Sequence, residues 1–134
     1  MSLSFHIGFN GQCKEAFEFY SAHLNGAIGT MLEFKDSPVA ASVPEEWQHK
    51  IVHANILIEG IELAGGDVMP EQYQKPRGFN ILLSVKNEGT VKSLFEQFSV
   101  GGDVILSPQK TFFSSCYTIV VDRFGVPWKF SCGV

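Results

Sequence analysis

The sequence predicts an α+β fold built from two similar βαβββ modules. Two apolar stripes with the helical spacing i, i+3, i+4, i+7 lie 78 positions apart: Cys13, Ala16, Phe17 and Tyr20 recur as Val91, Leu94, Phe95 and Phe98. An alternating strand precedes each stripe, and a β-rich stretch that ends in an apolar hairpin follows it. A repeat of this length is one supersecondary unit used twice. Because strands outnumber helices and each helix must cover one face of a sheet, the fold class is α+β.

The first module is predicted to begin with a strand and a helix. Apolar side chains alternate with polar or small ones over residues 3–9, which is the period of a strand with one fully apolar face. The helix is expected to run from about Cys13 to Leu24. It should end at Asn25-Gly26, because this pair is a good signal for a helix C-terminus.

A strand, a long loop and a hairpin should complete the first module. Residues 28–34 are predicted to be a strand, and the hairpin over residues 53–66 is expected to turn at Glu59-Gly60. Between them, residues 35–50 contain two prolines and an acidic cluster, which predicts an irregular connection with room for one helical turn. Long loops of this kind often act as lids or binding loops.

The second module repeats this order of elements. Its helix should end at Gly101-Gly102, and Ser107-Pro108 is expected to stop the strand that follows. Its predicted strands are residues 79–85, 103–106, 116–121 and 126–132. The whole chain, residues 1–134, is predicted to be one domain, with module 1 at about 3–66, a linker at 67–78 and module 2 at about 79–133.

Strand alternation assigns residues to two faces of the predicted sheet. The face toward the helices should hold Phe5, Ile7, Phe9, Ala54, Ile56, Ile58, Ile81, Leu83, Val85, Ile119 and Val121. The opposite face should hold His6, Gly8, His53, Asn55, Leu57, Asn80, Leu82, Ser84, Cys116 and Thr118. This second face has enough polar side chains to be hydrated and enough apolar side chains to bind a small ligand.

Composition excludes several classes of function. The net charge is −4 and no run of Lys or Arg occurs, so the phosphate neutralisation that nucleic-acid binding requires is missing. No stretch of about 18 apolar residues predicts a membrane span, and the N-terminus lacks the features of a signal peptide. Three sparse cysteines suit a reducing cytoplasm better than a disulfide scaffold, which predicts a cytoplasmic protein.

Several motifs resemble the vicinal-oxygen-chelate superfamily, the glyoxalase/bleomycin-resistance/dioxygenase fold, and most closely its PhnB-like branch. They are Phe9-Asn10-Gly11 leading into Glu15-Ala16-Phe17-Glu18-Phe19-Tyr20, His53-Ala54 at the start of the hairpin, and Asp122-Arg123-Phe124-Gly125-Val126-Pro127-Trp128. The resemblance covers nearly the whole chain. It implies a curved, mostly antiparallel sheet around a cavity and a homodimer, with sites inside one chain or shared between two.

The resemblance also implies which positions would hold a metal ion in this chain. Metal-dependent members of the superfamily bind a divalent ion with His, Gln and Glu, one from each of four strands, and the matching positions here are Ser4, Ala64, Asn80 and Lys129. These residues do not make that site, and a lysine brings the wrong charge. We therefore expect no resident metal. The alternative is an altered site around His6 and His53, with Asn55 nearby.

The sequence leaves two functional hypotheses. The first is a small-molecule-binding protein of this fold without the family metal, and the second is a metal-dependent lyase, isomerase or dioxygenase that uses His6 and His53. Enzymatic activity is left open. The predicted ligand-binding residues are His6, His53, Asn55, Asn80, Cys116, Thr118, Trp47, Tyr73 and Phe112. The glycine pairs Gly65-Gly66 and Gly101-Gly102 are interpreted as turns and not as nucleotide-binding loops.

Overall fold

The computed structural model describes residues 1–133 and divides the chain into two compact units, Met1–Gln74 and Lys75 onward. Each unit is a four-stranded sheet that carries one helix. The predicted α+β class and the two βαβββ modules are confirmed. The strands form two separate sheets of mixed pairing, and neither sheet is closed. No helix of the described residues is long and apolar enough to cross a membrane.

Unit 1 follows the predicted order of elements. Its sheet has the order β1-β4-β3-β2, with β1 parallel to β4 and the other pairs antiparallel. The long connection contains three short 3₁₀ turns, where one helical turn was expected. The elements are β1 (Phe5–Phe9), α1 (Cys13–His23), β2 (Ala27–Glu33), the 3₁₀ turns Phe34–Asp36, Ala40–Ser42 and Glu45–Trp47, β3 (Ile51–Ile58) and β4 (Ile61–Asp67).

The predicted apolar stripe of α1 forms the core of unit 1. All four of its residues are fully buried, and the Phe17 ring meets the Phe9 ring of β1 edge to face at 5.7 Å between centroids. Phe5 lies on the predicted side of the sheet, together with Ile7 and Phe9, but it is 55% exposed and does not join the core. It precedes the part of β1 that α1 covers, and Leu3 lies outside the strand altogether.

Gly65 and Gly66 are not a turn, as the sequence suggested, but lie buried inside β4. Both positions require glycine because there is no space for a side chain. A Cβ on Gly65 would lie 3.0 Å from the rings of both Phe9 and Phe17. A Cβ on Gly66 would lie 2.7 Å from the backbone oxygen of Val52. Gly65 therefore gives the Phe9 and Phe17 rings room to pack on β4, and Gly66 permits the close approach of β4 to Val52 of β3.

We expect Gly66→Ala to lower the free energy of unfolding by about 2 kcal/mol, because the added methyl meets backbone atoms that cannot move without shifting β3. Gly8→Ala is the matched control. Gly8 pairs with Gly66 in register, but its added Cβ would only touch the Val68 side chain at 3.5 Å. Urea unfolding of both variants measures the difference, and equal losses would contradict the crowding argument.

Unit 2 repeats the arrangement of unit 1. Its sheet has the order β5-β8-β7-β6, again with one parallel pair, β5 with β8. β6 runs past Pro108, where the sequence predicted its end, because β6 is an edge strand and a missing N–H can face outward there. The elements are β5 (Ile81–Val85), α2 (Glu88–Phe98), β6 (Asp103–Gln109), β7 (Cys116–Val121) and β8 (Pro127–Cys132).

The face of β7 that meets α2 is the opposite of the predicted one. Phe98 of α2 contacts Trp128 and Phe130 of β8, at 5.3 and 5.1 Å between ring centroids. Thr118 pairs directly with Phe130, and Cys116 with Cys132, so these side chains share the helix-facing side. Cys116 and Thr118 are accordingly only 3% and 0% exposed.

This placement corrects the assignment of Cys116 and Thr118 to the open face. β7 reads as CYTIVV, so apolar residues occupy both alternating sets and the period does not identify the buried one. The Thr118 hydroxyl satisfies its hydrogen-bonding capacity by donating to the backbone oxygen of Leu106 at 2.7 Å. Ile119 and Val121 lie on the opposite, open face.

Candidate functional site

The open face of the sheet in unit 1 carries two of the predicted histidines. His6 of β1 and Asn55 of β3 both pair with Ala64 of β4, so the three side chains project from the same face. His53 lies two residues before Asn55 and shares that face. Both histidines are exposed. His6 and Asn55 are separated by two strand spacings, about 10 Å between their Cα atoms.

Asn55 has a structural role on this face. Its Oδ1 accepts a hydrogen bond from the backbone N–H of Thr30 at 2.7 Å, where β2 departs from regular pairing with β3. Its Nδ2 donates to Oε2 of Glu62 at 3.4 Å. The Asn55 amide therefore links the irregular edge strand β2 to Glu62 of β4. Gly29 makes room for this amide, because a Cβ at position 29 would collide with Oδ1 of Asn55.

The open face of the sheet in unit 2 is centred on a lysine. Lys129 of β8 pairs with Leu82 of β5 and with Ile119 of β7. Its Nζ lies 5.8 Å from the ring centroid of Tyr117, and the Phe113 ring meets Tyr117 edge to face at 4.8 Å. The face combines apolar side chains, an aromatic pair and one central ammonium group.

The remaining predicted site residues lie outside the regular strands. Asn80 precedes β5 and is half-buried, and Phe112 is 95% exposed on the loop before β7. Tyr73 is half-buried in the segment after β4. Trp47 packs against Phe34 at 6.5 Å between ring centroids. The structure therefore gathers His6, His53 and Asn55 on one face and leaves the ligand-binding role of each predicted residue as a prediction.

Sequence reasoning missed a polar pocket of about 340 Å³ in unit 1, where the loop before β3 meets the start of α1. Its lining includes Gly11, Lys14, Glu18, His49, Lys50 and Asp67. Lys50 Nζ donates to the backbone oxygen of Gly11 at 2.8 Å. Asp67 closes the floor, with Oδ1 accepting from the N–H of Cys13 at 2.9 Å and Oδ2 accepting from the N–H of Ile51 at 2.8 Å.

One carboxyl group and two thiols, those of Asp67, Cys13 and Cys116, have shifted pKa values. Burial raises the pKa of the Asp67 carboxyl, and its backbone hydrogen bonds and Lys50 oppose that rise. Burial also raises the pKa of the Cys13 thiol, and the nearby Asp67 adds to the effect. Burial is also the main cause of the raised pKa of the Cys116 thiol. Protonated thiols are poor nucleophiles, so these sites do not favour cysteine catalysis.

The residues at the family's metal-ligand positions do not fit a divalent ion. Ala64 has no donor atom, and an ammonium group such as that of Lys129 has no lone pair to offer. The neighbours of Ala64 across β4 are His6 and Asn55, and the Asn55 oxygen already accepts from Thr30. Within residues 1–133, no three His, Cys, Asp or Glu side chains gather as a metal site. The expectation of no resident metal stays a prediction.

Comparison with known proteins finds a matching family and several similar proteins. The family model described as 3-demethylubiquinone-9 3-methyltransferase matches residues 2–131. The protein YjdN of Escherichia coli is 29% identical over 96% of this chain and 92% of its own length. Protein PA1353 of Pseudomonas aeruginosa is 34% identical with a TM-score of 0.88, over 99% of this chain and 98% of that one.

The PhnB protein of Bacillus cereus shows the same fold at 16% identity. Its TM-score is 0.85, over 99% of this chain and 100% of its own. The family match spans both units, and the resemblance read from the sequence motifs is confirmed. The chain belongs to the family described as 3-demethylubiquinone-9 3-methyltransferase, the PhnB-like branch of the vicinal-oxygen-chelate superfamily.

Proposed function

We propose that this protein binds a small organic ligand on an open face of one of its sheets and does so without a resident metal. The observation that carries the proposal is the composition of the open faces. Leu57 of β3 and Leu82 of β5 are 51% and 59% exposed, and the same faces carry a few polar groups, such as His6 in unit 1 and Lys129 in unit 2. Apolar surface with a small number of placed polar groups is the usual lining of a ligand site.

The activity in the family's description is not part of this proposal. A methyltransferase that uses a nucleotide cofactor commonly offers a glycine-rich loop between a strand and a helix N-terminus. Here Gly65-Gly66 lie inside β4, and Gly101-Gly102 follow the end of α2. Neither pair opens a helix. The homodimer and the cytoplasmic location implied earlier remain predictions alongside the proposal.

The alternative function is metal-dependent catalysis, and one observation favours it. His6 and His53 project from the same face of one sheet, and both are exposed. Two imidazoles on one face are the beginning of a metal site. A complete site would need further donors, together with a hydrogen-bond partner for the second nitrogen of each histidine.

We expect protein that is purified without chelators, loaded with manganese, iron, nickel or zinc and then desalted to retain far less than one ion per chain. Elemental analysis measures the retained metal. The matched control is the double variant His6→Ala/His53→Ala, which should give the same low value and the same melting temperature, because both side chains are exposed. About one ion per chain, lost in the double variant, would overturn the proposal in favour of the metal-dependent function.

A further inference from the structure

Lys129 occupies an unusual place in unit 2. It lies on β8, an interior strand of the sheet, and is half-buried between Leu82 of β5 and Ile119 of β7. Lysine is among the residues least often buried, and it usually reaches an acidic partner when it is. Here the ammonium group lies against an aromatic ring, that of Tyr117, with 5.8 Å between Nζ and the ring centroid.

Among the residues that the structure describes, no acidic side chain forms an ion pair with Lys129. Asp103, at the start of the edge strand β6, forms its ion pair with Lys75 at 3.6 Å. A cation–π contact of about 6 Å compensates only part of the loss of hydration around an ammonium group. The charge at the centre of this face is therefore available to an anion.

The surroundings of Lys129 define what kind of anion fits. Leu82 is 59% exposed and supplies an apolar surface beside the ammonium group. Tyr117 is only 7% exposed, and the Phe113 ring packs against it, so the tyrosine ring holds the ammonium group in place and is not itself an open surface. A small inorganic anion would use the charge and leave the exposed apolar surface of Leu82 in contact with water. An organic anion with an apolar or aromatic body would use both.

We propose that Lys129 anchors the anionic group of a small organic ligand whose apolar body lies against Leu82 and Ile119. This inference rests on the proposed ligand-binding function and names the class of its ligand. It also gives a physical account of a lysine at one of the four positions that the sequence resemblance matched to metal ligands. The fixed positive charge comes from the chain itself, and it attracts the same negatively charged groups that a metal would.

The test uses two fluorescent probes with closely similar aromatic bodies and different charges. 1-Anilinonaphthalene-8-sulfonate carries one negative charge, and N-phenyl-1-naphthylamine is its neutral counterpart. We expect Lys129→Met to weaken sulfonate-probe binding about tenfold, as the loss of a charge-assisted contact does, and to leave binding of the neutral probe unchanged. In the wild-type protein, added salt should weaken binding of the sulfonate probe alone.

Two further variants separate a local effect from a general one. Lys92→Met makes the same change of charge on the exposed surface of α2 and should not alter binding of either probe. Lys129→Arg keeps the charge and should retain the preference for the sulfonate, so it serves as well if Lys129→Met does not fold. Equal weakening by Lys92→Met, or none by Lys129→Met, would overturn the role of Lys129.

The probes also distinguish the two proposals from each other. Binding of the neutral probe without any preference for the sulfonate would overturn the inference and leave the ligand-binding function standing. Binding of neither probe by the wild-type protein would remove the support for an apolar ligand site on the open faces, and the inference would fall with it.

Discussion

Replacing Asp122 by alanine is expected to lower the free energy of unfolding of unit 2 by about 4 kcal/mol. The carboxylate is 3% exposed. Its Oδ1 accepts from the backbone N–H groups of Phe124 and Val126, at 2.9 and 3.0 Å, and its Oδ2 accepts from the indole N–H of Trp128 at 2.9 Å. Alanine would leave three donors in the interior without an acceptor, and each such loss costs about 1–3 kcal/mol.

Asp122→Asn is the matched control, because it keeps one oxygen acceptor and replaces the other by an amide group. The Trp128 indole would then face a second donor, so an intermediate loss of about 2 kcal/mol is expected. Urea unfolding followed by the emission of Trp128, in a Trp47→Phe background, reports on unit 2, since the chain has two tryptophans. Equal stability of the alanine variant and the parent would refute the role assigned to the carboxylate.

Asp122 shows how far the sequence could be interpreted. The motif Asp122-Arg123-Phe124-Gly125 indicated the family and a hairpin turn, and both are confirmed. The sequence motif does not show which hydrogen-bond donors the aspartate accepts from. The indole N–H of Trp128 is brought to Asp122 only by the pairing of β7 with β8, which is a tertiary contact.

The stripe of α1 was predictable because its buried and exposed positions differ in residue type, and in α2 three of the four predicted residues are buried while Phe95 is half-buried. Cys13, Ala16, Phe17 and Tyr20 are buried as expected. In β7 both sets of alternating residues are apolar, so Cys116 and Thr118 were assigned to the wrong face. Burial on each face was then decided by which side α2 covers, and a single strand carries no information about that choice.

The candidate sites also differ in how far the sequence could predict them. His6 and His53 reach one face as the period of two predicts, because alternation is local geometry. The pocket floored by Asp67 was not predictable, since its partners Cys13 and Ile51 lie 54 and 16 positions away in the chain. An aspartate after a glycine pair reads as a turn residue until the strand that contains it is known.

Asp67→Ala is expected to lower the free energy of unfolding by about 3 kcal/mol. The carboxylate is 6% exposed and joins the start of α1 to the start of β3 through the N–H groups of Cys13 and Ile51. Removing it leaves two buried donors without an acceptor, at about 1–3 kcal/mol each. Lys50 would also lose the negative charge that partly balances it in the pocket. Urea unfolding at neutral pH measures the loss.

The dependence of this stability on pH has a definite sign. Burial raises the pKa of Asp67 in the folded state above its value in the unfolded chain, so ionisation opposes folding. The cost is present in full above the raised pKa. It is relieved as the pH falls through that pKa toward the unfolded value, which is about 4. Asp67 thus makes the protein relatively more stable in mild acid.

Asp67→Asn isolates this effect, because the amide does not titrate. Relative to this variant, the wild-type protein should gain stability as the pH falls from 7 toward about 4, and the gain should level off below the unfolded pKa. The amide resonances of Cys13 and Ile51, which bond the carboxylate directly, should shift over the same range. A difference in stability that stays constant with pH would show that the hydrogen bonds and Lys50 balance burial, and one that shrinks in acid would show that they outweigh it.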